Sequence, residues 1–188
     1  MPRIIGLVFS VVLILAISVP HSSLEAQTIS PIPPVLKHFK ATEPPKPVPQ
    51  TPFVEGDSRS RTLANYKGRG IVLNFWATWC APCIKEMPQL DKLQVLSRNK
   101  GVVVLTVSED RGAAAMVEKF LQLNDLKNLP ALRDPEGKLM RRLAIRGLPT
   151  TILIDAEGRE VGRVVGPAEW DDPEAVAFIH ELLGPKKP

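Results

Sequence analysis

The stretch FWATWCAPC (75–83) holds the chain's only two cysteines, Cys80 and Cys83, separated by Ala81 and Pro82. An apolar, β-branched run precedes them and an amphipathic segment follows, so Cys80 falls where a strand ends and a helix begins. A helix N-terminus offers unpaired N–H groups and a partial positive charge, and both stabilise a thiolate. The thiolate is the form of cysteine that attacks disulfides. Pro82 suits the first helical turn, where its missing N–H would have had no partner. Cys83 lies nearly one turn further in, placed to attack a mixed disulfide at Cys80 and release the partner. The spacing thus predicts an exposed nucleophile, Cys80, and a shielded resolving thiol, Cys83, at one helix tip.

Two plainer uses compete. A disulfide closing a two-residue loop restrains the unfolded chain little and makes a poor staple. Half of a zinc site would need further ligands, yet the chain has only His21, His38 and His180, and none sits in a ligand-spaced cluster. Redox chemistry is the stronger reading, and no metal site is expected.

The elements that must carry this pair can be read along the chain. IVLNFWA (71–77) and GVVVLTV (101–107) are short, nearly continuous apolar runs that suit strands covered on both faces. Between them Ile84, Met87, Leu90, Leu93 and Leu96 suggest the buried face of a helix, with Asn99 and Gly101 as its stop. A second amphipathic segment at 112–123 presents Met116, Val117, Phe120 and Leu121. Strand, helix, strand, helix is a βαβ unit with parallel strands. TTILIDAEGREVGRVVG (150–166) then reads as an antiparallel hairpin turning at Glu157-Gly158. EWDDPEAVAFIHELLG (169–184) closes as a helix capped by Asp171 or Asp172, with Pro173 in its first turn. The expected class is α/β, a mixed central sheet with helices on both faces.

The N-terminus predicts export. After Met1–Arg3 comes an unbroken apolar run, Ile4 to Val19, and Ala26 offers a cleavage position, so residues 1–26 are a signal peptide or a retained membrane anchor. Either fate delivers the remainder outside the cytoplasm. Eight prolines between Pro31 and Pro52 make 27–52 a proline-rich, semi-rigid linker, leaving 53–188 as the folded domain. Four of the 24 lysines and arginines and two of the 20 acidic residues precede Thr51, so the domain is nearly balanced in charge. No basic stripe supports nucleic-acid binding.

NFWATWCAPCIKEMPQL (74–90) and GLPTTILIDAEG (147–158) resemble the thioredoxin superfamily, specifically its membrane-tethered TlpA/ResA-like branch, and GPAEW (166–170) is similar to the segment before the last helix in TlpA-type members. The resemblance spans about Thr51 to Gly184 and implies a thioredoxin fold and thiol-disulfide oxidoreductase activity, with the redox-active Cys80–Cys83 disulfide in place of a cofactor. It implies that Cys80 attacks and Cys83 resolves, and that Pro149, after Leu148, is a cis-proline facing the pair where an incoming chain docks. Trp79 and Pro82 would belong to the contact surface, while Trp76 would pack inside. Glu86, on the helical face of Cys83, would tune the protonation of the cysteines; Asn74 would be a buried polar companion or a purely structural one. The expected targets are exported proteins with oxidised cysteine pairs: an oxidase copper-site subunit, its copper chaperone, or apocytochrome c. A membrane electron donor of the DsbD/CcdA type would supply electrons to a monomeric protein. The absence of His between the cysteines favours a reductase. A Sco-type copper metallochaperone on the same fold is the alternative, although that class carries CxxxC and a distant histidine. VEGDSRSRTLANYKGRG (54–70) is shorter than the corresponding part of ResA-like proteins, which leaves the edge strand before the first core strand open.

Overall fold

The computed structural model describes residues 31–185 apart from Asp57 and Ala113. The apolar run, the candidate cleavage position at Ala26 and the first residues of the proline-rich stretch lie outside the described residues.

At the centre are strands β4 (Gly70–Trp76) and β5 (Val102–Ser108), paired in parallel and joined by helix α1 (Ala81–Ser97). Every residue of both strands is buried. Their continuous apolar character is therefore divided by the pleat between two cores. On one face Val72, Trp76, Val102 and Val104 meet Met87, Leu90 and Leu93 of α1, together with helix α2 (Ala114–Leu123) and helix α4 (Pro173–Leu183). On the other, Ile71, Leu73, Phe75, Val103 and Leu105 pack with Leu139 of helix α3 (Lys138–Arg142) and with Phe53 and Leu63.

The predicted hairpin is β7 (Thr150–Ile154) and β8 (Arg159–Val165), antiparallel to each other, with β7 antiparallel to β4. Gly158 takes the positive φ of 83° that the turn requires. Beyond β5 come the two-residue β6 (Leu132–Arg133), parallel to it, and a small antiparallel ribbon, β2 (Phe53–Glu55) with β3 (Arg59–Arg61). The sheet order is β1-β8-β7-β4-β5-β6-β2-β3, where β1 is Phe39–Pro47. This is the mixed sheet with helices on both faces expected of a thioredoxin fold, and β2–β3 is the edge element left open by the short 54–70 stretch.

Strand β1 corrects the linker boundary. Residues 27–52 were expected to be a spacer, yet Phe39–Pro47 pairs antiparallel with β8, with a break in register between Ala41 and Lys46. Proline is excluded from a central strand because it donates no ladder hydrogen bond, but an edge strand needs donors on one side only. Just before β1, the 3-10 turn Pro34–Leu36 buries Leu36 completely, and Phe39 meets Phe178 of α4 edge-on at 5.2 Å. The packed unit therefore begins well before residue 53.

Helix α1 also departs from expectation. Ile84 is only half-buried and Leu96 is exposed, while Cys83, Glu86 and Ser97 point inward beside Met87, Leu90 and Leu93. A strict three-residue spacing drifts about 60° per step on an α-helix, so five such positions cannot share one face. Met116 of α2 is likewise partly exposed rather than core. Asp172, not Asp171, caps α4 by accepting from the N–H groups of Glu174 and Ala175; Asp171 pairs with Lys92 of α1 at 2.9 Å.

Candidate active site

Cys80 is the N-cap of α1, and its carbonyl accepts the first helical hydrogen bond from Ile84 (3.0 Å). No side chain caps this helix and no acidic residue stands in its first turn, so its positive end is left to act on the Cys80 sulfur. Cys80 and Cys83 form a disulfide, with Cα atoms 5.3 Å apart. Cys83 is completely buried. Cys80, expected to be exposed, retains only 6 % exposure in this oxidised state, because its sulfur is tied inward to Cys83 and only its outer edge reaches the surface. Of the two it is still the accessible one.

The loop before Cys80 is held by a residue that sequence reasoning missed. Thr78 donates through its N–H and its Oγ1 to the carboxylate of Asp110 (2.9 and 2.8 Å), which Ser108 also contacts through Oγ (2.7 Å). Asp110 is buried at the C-terminal end of β5, and the adjacent Glu109 N–H donates to the Trp76 carbonyl at 2.8 Å. The helix tip is thereby fastened to the end of the central sheet. An acidic pair directly after a buried strand, in SED (108–110), was the signal available. Trp79, beside Cys80, is 71 % exposed.

The Leu148–Pro149 peptide bond is cis, and a second cis bond, Glu43–Pro44, lies in β1. Because Thr150 pairs with Phe75, Pro149 stands just beyond the register at the end of β4 from which the chain runs to Cys80. Cys80, Trp79 and Leu148 line one groove of about 740 Å³. Pro82 faces away from it into a second cavity of about 660 Å³, which it shares with Glu86, Val35 and Ala168. The four contact residues expected from sequence thus divide: Trp79 and Leu148 share the groove with Cys80, Pro149 lies buried behind it, and Pro82 lies on the other side.

Glu86 is 2 % exposed. Its Oε1 accepts from Asn74 Nδ2 (2.8 Å), and its Oε2 accepts from Trp170 Nε1 (3.0 Å) and the Ala168 N–H (3.2 Å). Asn74 also donates to Thr151 Oγ1 (3.0 Å), tying the site to β7. Burial pushes the Glu86 carboxyl up to about 7, against the three hydrogen bonds, which favour the ionised form and hold it down. The GPAEW segment therefore has a physical task that its residue types do not announce: Ala168 and Trp170 close over Glu86. Because α1 places residues three apart on one side, Cβ atoms of Cys83 and Glu86 stand roughly 5–6 Å from each other.

His180, the histidine relevant to a copper-chaperone reading, is bonded to Ser97 Oγ at 2.9 Å near the far end of α1. Fourteen residues of helix separate Ser97 from Cys83, about 21 Å along the axis. The arrangement can perform thiol-disulfide exchange at Cys80 and proton transfer near Cys83, and His180 stands far from both.

Residues 41–179 match the family model described as redoxin. The chain is 34% identical over 121 residues to the thiol-disulfide oxidoreductase ResA of Bacillus thuringiensis subsp. konkukian, covering 64% of this chain and 69% of that one. Among solved structures it is similar to the pneumococcal exposed lipoprotein thioredoxin Etrx1 of Streptococcus pneumoniae, with a TM-score of 0.61 and 32% identity over 70% of this chain and 98% of that one. StoA of Bacillus subtilis aligns with a TM-score of 0.57 and 26% identity, covering 70% and 99% of the two chains. With a helix-tip disulfide on this fold and relatives of this kind, the chain belongs to the redoxin family, as a TlpA/ResA-like thiol-disulfide oxidoreductase.

Proposed function

We propose that the protein is a reductase of specific cysteine pairs on the periplasmic side of the inner membrane, held there by residues 4–19. The observation that carries this is the asymmetry of the pair: Cys80 at an uncapped helix N-terminus on a groove, Cys83 buried one turn away beside Glu86. In the reduced protein, the Cys80 thiolate attacks one sulfur of a target disulfide and expels the other as a thiolate. Cys83, losing its proton, then attacks Cys80; the target leaves as a dithiol and the Cys80–Cys83 bond is restored. Two electrons and two protons pass to the target, and a membrane donor of the DsbD/CcdA type returns them. Glu86 exchanges the Cys83 proton. Pro149 and Leu148 position the incoming chain, Trp79 packs on it, and Pro82 shapes the helix start. The targets are an oxidase copper-site subunit or its copper chaperone first, and apocytochrome c second, because GPAEW and the short active-site flanks resemble TlpA-type members. The absence of His between the cysteines supports the reducing direction.

Replacing Cys83 with Ser removes the resolving attack, so mixed disulfides at Cys80 should accumulate when C83S is expressed in the native cells. Non-reducing separation and mass spectrometry should identify a few exported partners with paired cysteines. A broad population of unrelated secreted proteins would mean a general oxidase or isomerase, and no adduct at Cys80 would overturn the exchange mechanism.

A further inference from the structure

The groove beside Cys80 has a chemical character that exchange alone does not require. Its apolar lining comes from Trp79, Met140, Ile145 and Leu148, and around these stand Arg111, Arg141 and Arg146, all three exposed. Residues 109–111 and 133–148, which form this side of the groove, carry six cationic and four acidic side chains. The acids are largely committed elsewhere. Asp110 accepts from Thr78 and Ser108. Asp134 accepts from the backbone N–H groups of Lys138 and Met140 (both 2.9 Å), and Glu136 pairs with Lys138 at 2.8 Å. Glu109 is raised to about 8 by burial and by the neighbouring Asp134, only partly opposed by Arg141, so it is mostly uncharged at neutral pH. Of the cations, Lys138 is taken by Glu136 and the buried Arg133 donates to the Gly112 and Gly56 carbonyls, but the three arginines on the groove are less committed. Arg141 spends one N–H on the Glu136 carbonyl (2.8 Å), and neither Arg111 nor Arg146 is held by an ion pair among the described residues. Exposed apolar surface flanked by available guanidinium groups matches a peptide that places an apolar residue and a carboxylate next to its cysteine, because the guanidinium fork bonds a carboxylate through two N–H groups.

We propose that this groove selects target segments whose reactive cysteine pair is flanked by aspartate or glutamate, read by Arg111, Arg141 and Arg146. The selection rests on the exchange reading above and adds to it the chemistry of the partner. Any occupant must present a disulfide to Cys80, which makes it a protein segment rather than a free anion. Charge at the groove acts mainly on the rate of encounter and on discrimination between partners.

Full-length protein in a non-ionic detergent, reduced at Cys80 and Cys83, is mixed with two short peptides. Each carries the same oxidised Cys-Ala-Gly-Cys core, flanked on both sides by two glutamates in one and two lysines in the other. The dithiol passes two electrons and two protons to the peptide disulfide, and acid-quenched, alkylated samples give the second-order rate. The acidic peptide should react roughly tenfold faster than the basic one at low salt, with the difference shrinking to about twofold at 0.5 M salt. The double variant R111E/R146E should reverse the order, and R111Q/R146Q should bring the two rates together. Equal rates in the unaltered protein, or a preference that the charge reversal leaves in place, overturns the proposal. Bis(2-hydroxyethyl) disulfide, which is uncharged, separates the two levels. A protein that reduces it without peptide preference loses the selectivity alone, whereas one that reduces neither it nor the peptides loses the exchange reading as well.

Discussion

Replacing Glu86 with Gln should change how stability depends on pH, and the structure sets both sign and size. The carboxyl has an ordinary value of 4.5 in the unfolded chain and about 7 in the fold, where burial outweighs the bonds from Trp170, Asn74 and Ala168. Below about pH 4.5 the group is protonated in both states and costs nothing. Between about 4.5 and 7 the folded protein keeps the proton while the unfolded chain has released it, so stability falls as pH rises, by roughly 1.4 kcal/mol per pH unit. Above about 7 the loss is complete, at about 3 kcal/mol. Glutamine removes this dependence because it never ionises. Its shape also fits: Oε1 can accept from Trp170 and Ala168, and a flipped Asn74 can accept from the new amide through Oδ1, which has no partner among the described residues. Urea unfolding of the oxidised protein and of E86Q, from pH 4.5 to 8.5, gives the difference in stability at each pH. That difference should move in favour of E86Q by about 3 kcal/mol across the range. Glu109, also raised, contributes equally to both proteins and cancels. A difference constant to within about 0.5 kcal/mol, or one moving towards the unaltered protein, would refute the placement of an ionisable carboxyl in this desolvated site.

Removing everything before Thr51, as the proline-rich composition would suggest, should lower stability by roughly 4 kcal/mol relative to a chain starting at Pro31, because Leu36 and the Phe39–Phe178 contact leave with β1; equal urea midpoints would restore the linker reading. Asp110→Ala should cost about 3 kcal/mol, since it leaves Thr78 and Ser108 donors without their buried acceptor, and should speed alkylation of reduced Cys80 as the helix tip loosens; unchanged stability and unchanged alkylation would mean that Asp110 does not fasten the tip.

What could be read in the sequence was whatever depends on local pattern. IVLNFWA and GVVVLTV are central strands because an apolar run with no polar alternation has no face to give to water. The turn at Glu157-Gly158 needs a positive φ, and glycine supplies it. The cysteine pair, Pro149 and Glu86 were legible through spacing and resemblance. The rest depends on partners far away in the chain. Strand β1 holds three prolines, and only the position of β8, more than a hundred residues on, makes Phe39–Pro47 an edge strand. Two-residue β6 has no periodicity at all; its pairing follows from the end of β5. Asp110 looks like any acid after a strand until Thr78 is folded onto it. Trp170 carries no local sign of its task, since nothing near it in sequence tells that its indole N–H ends on a carboxylate 84 residues earlier.

The site at Glu86 links these two kinds of information. Its partners come from β4 (Asn74), from the 166–170 segment (Ala168, Trp170) and, one turn back, from the resolving cysteine, so the fold must be complete before the carboxyl acquires its raised value. On the proposed mechanism that value matters because Cys83, completely buried, cannot attack as a thiol, and its proton must pass to a neighbouring group. A carboxylate near 4.5 would be too weak a base to take it, and one raised much beyond neutrality would already be protonated and unable to accept. Burial alone would push Glu86 too far. The three donors draw it back, so the carboxyl stays near the pH at which it can both take and return a proton. On this view GPAEW is less a marker of descent than half of a balance: the indole of Trp170 and the Ala168 N–H oppose desolvation, and weakening either one would shift Glu86 towards the neutral acid and slow resolution at Cys83.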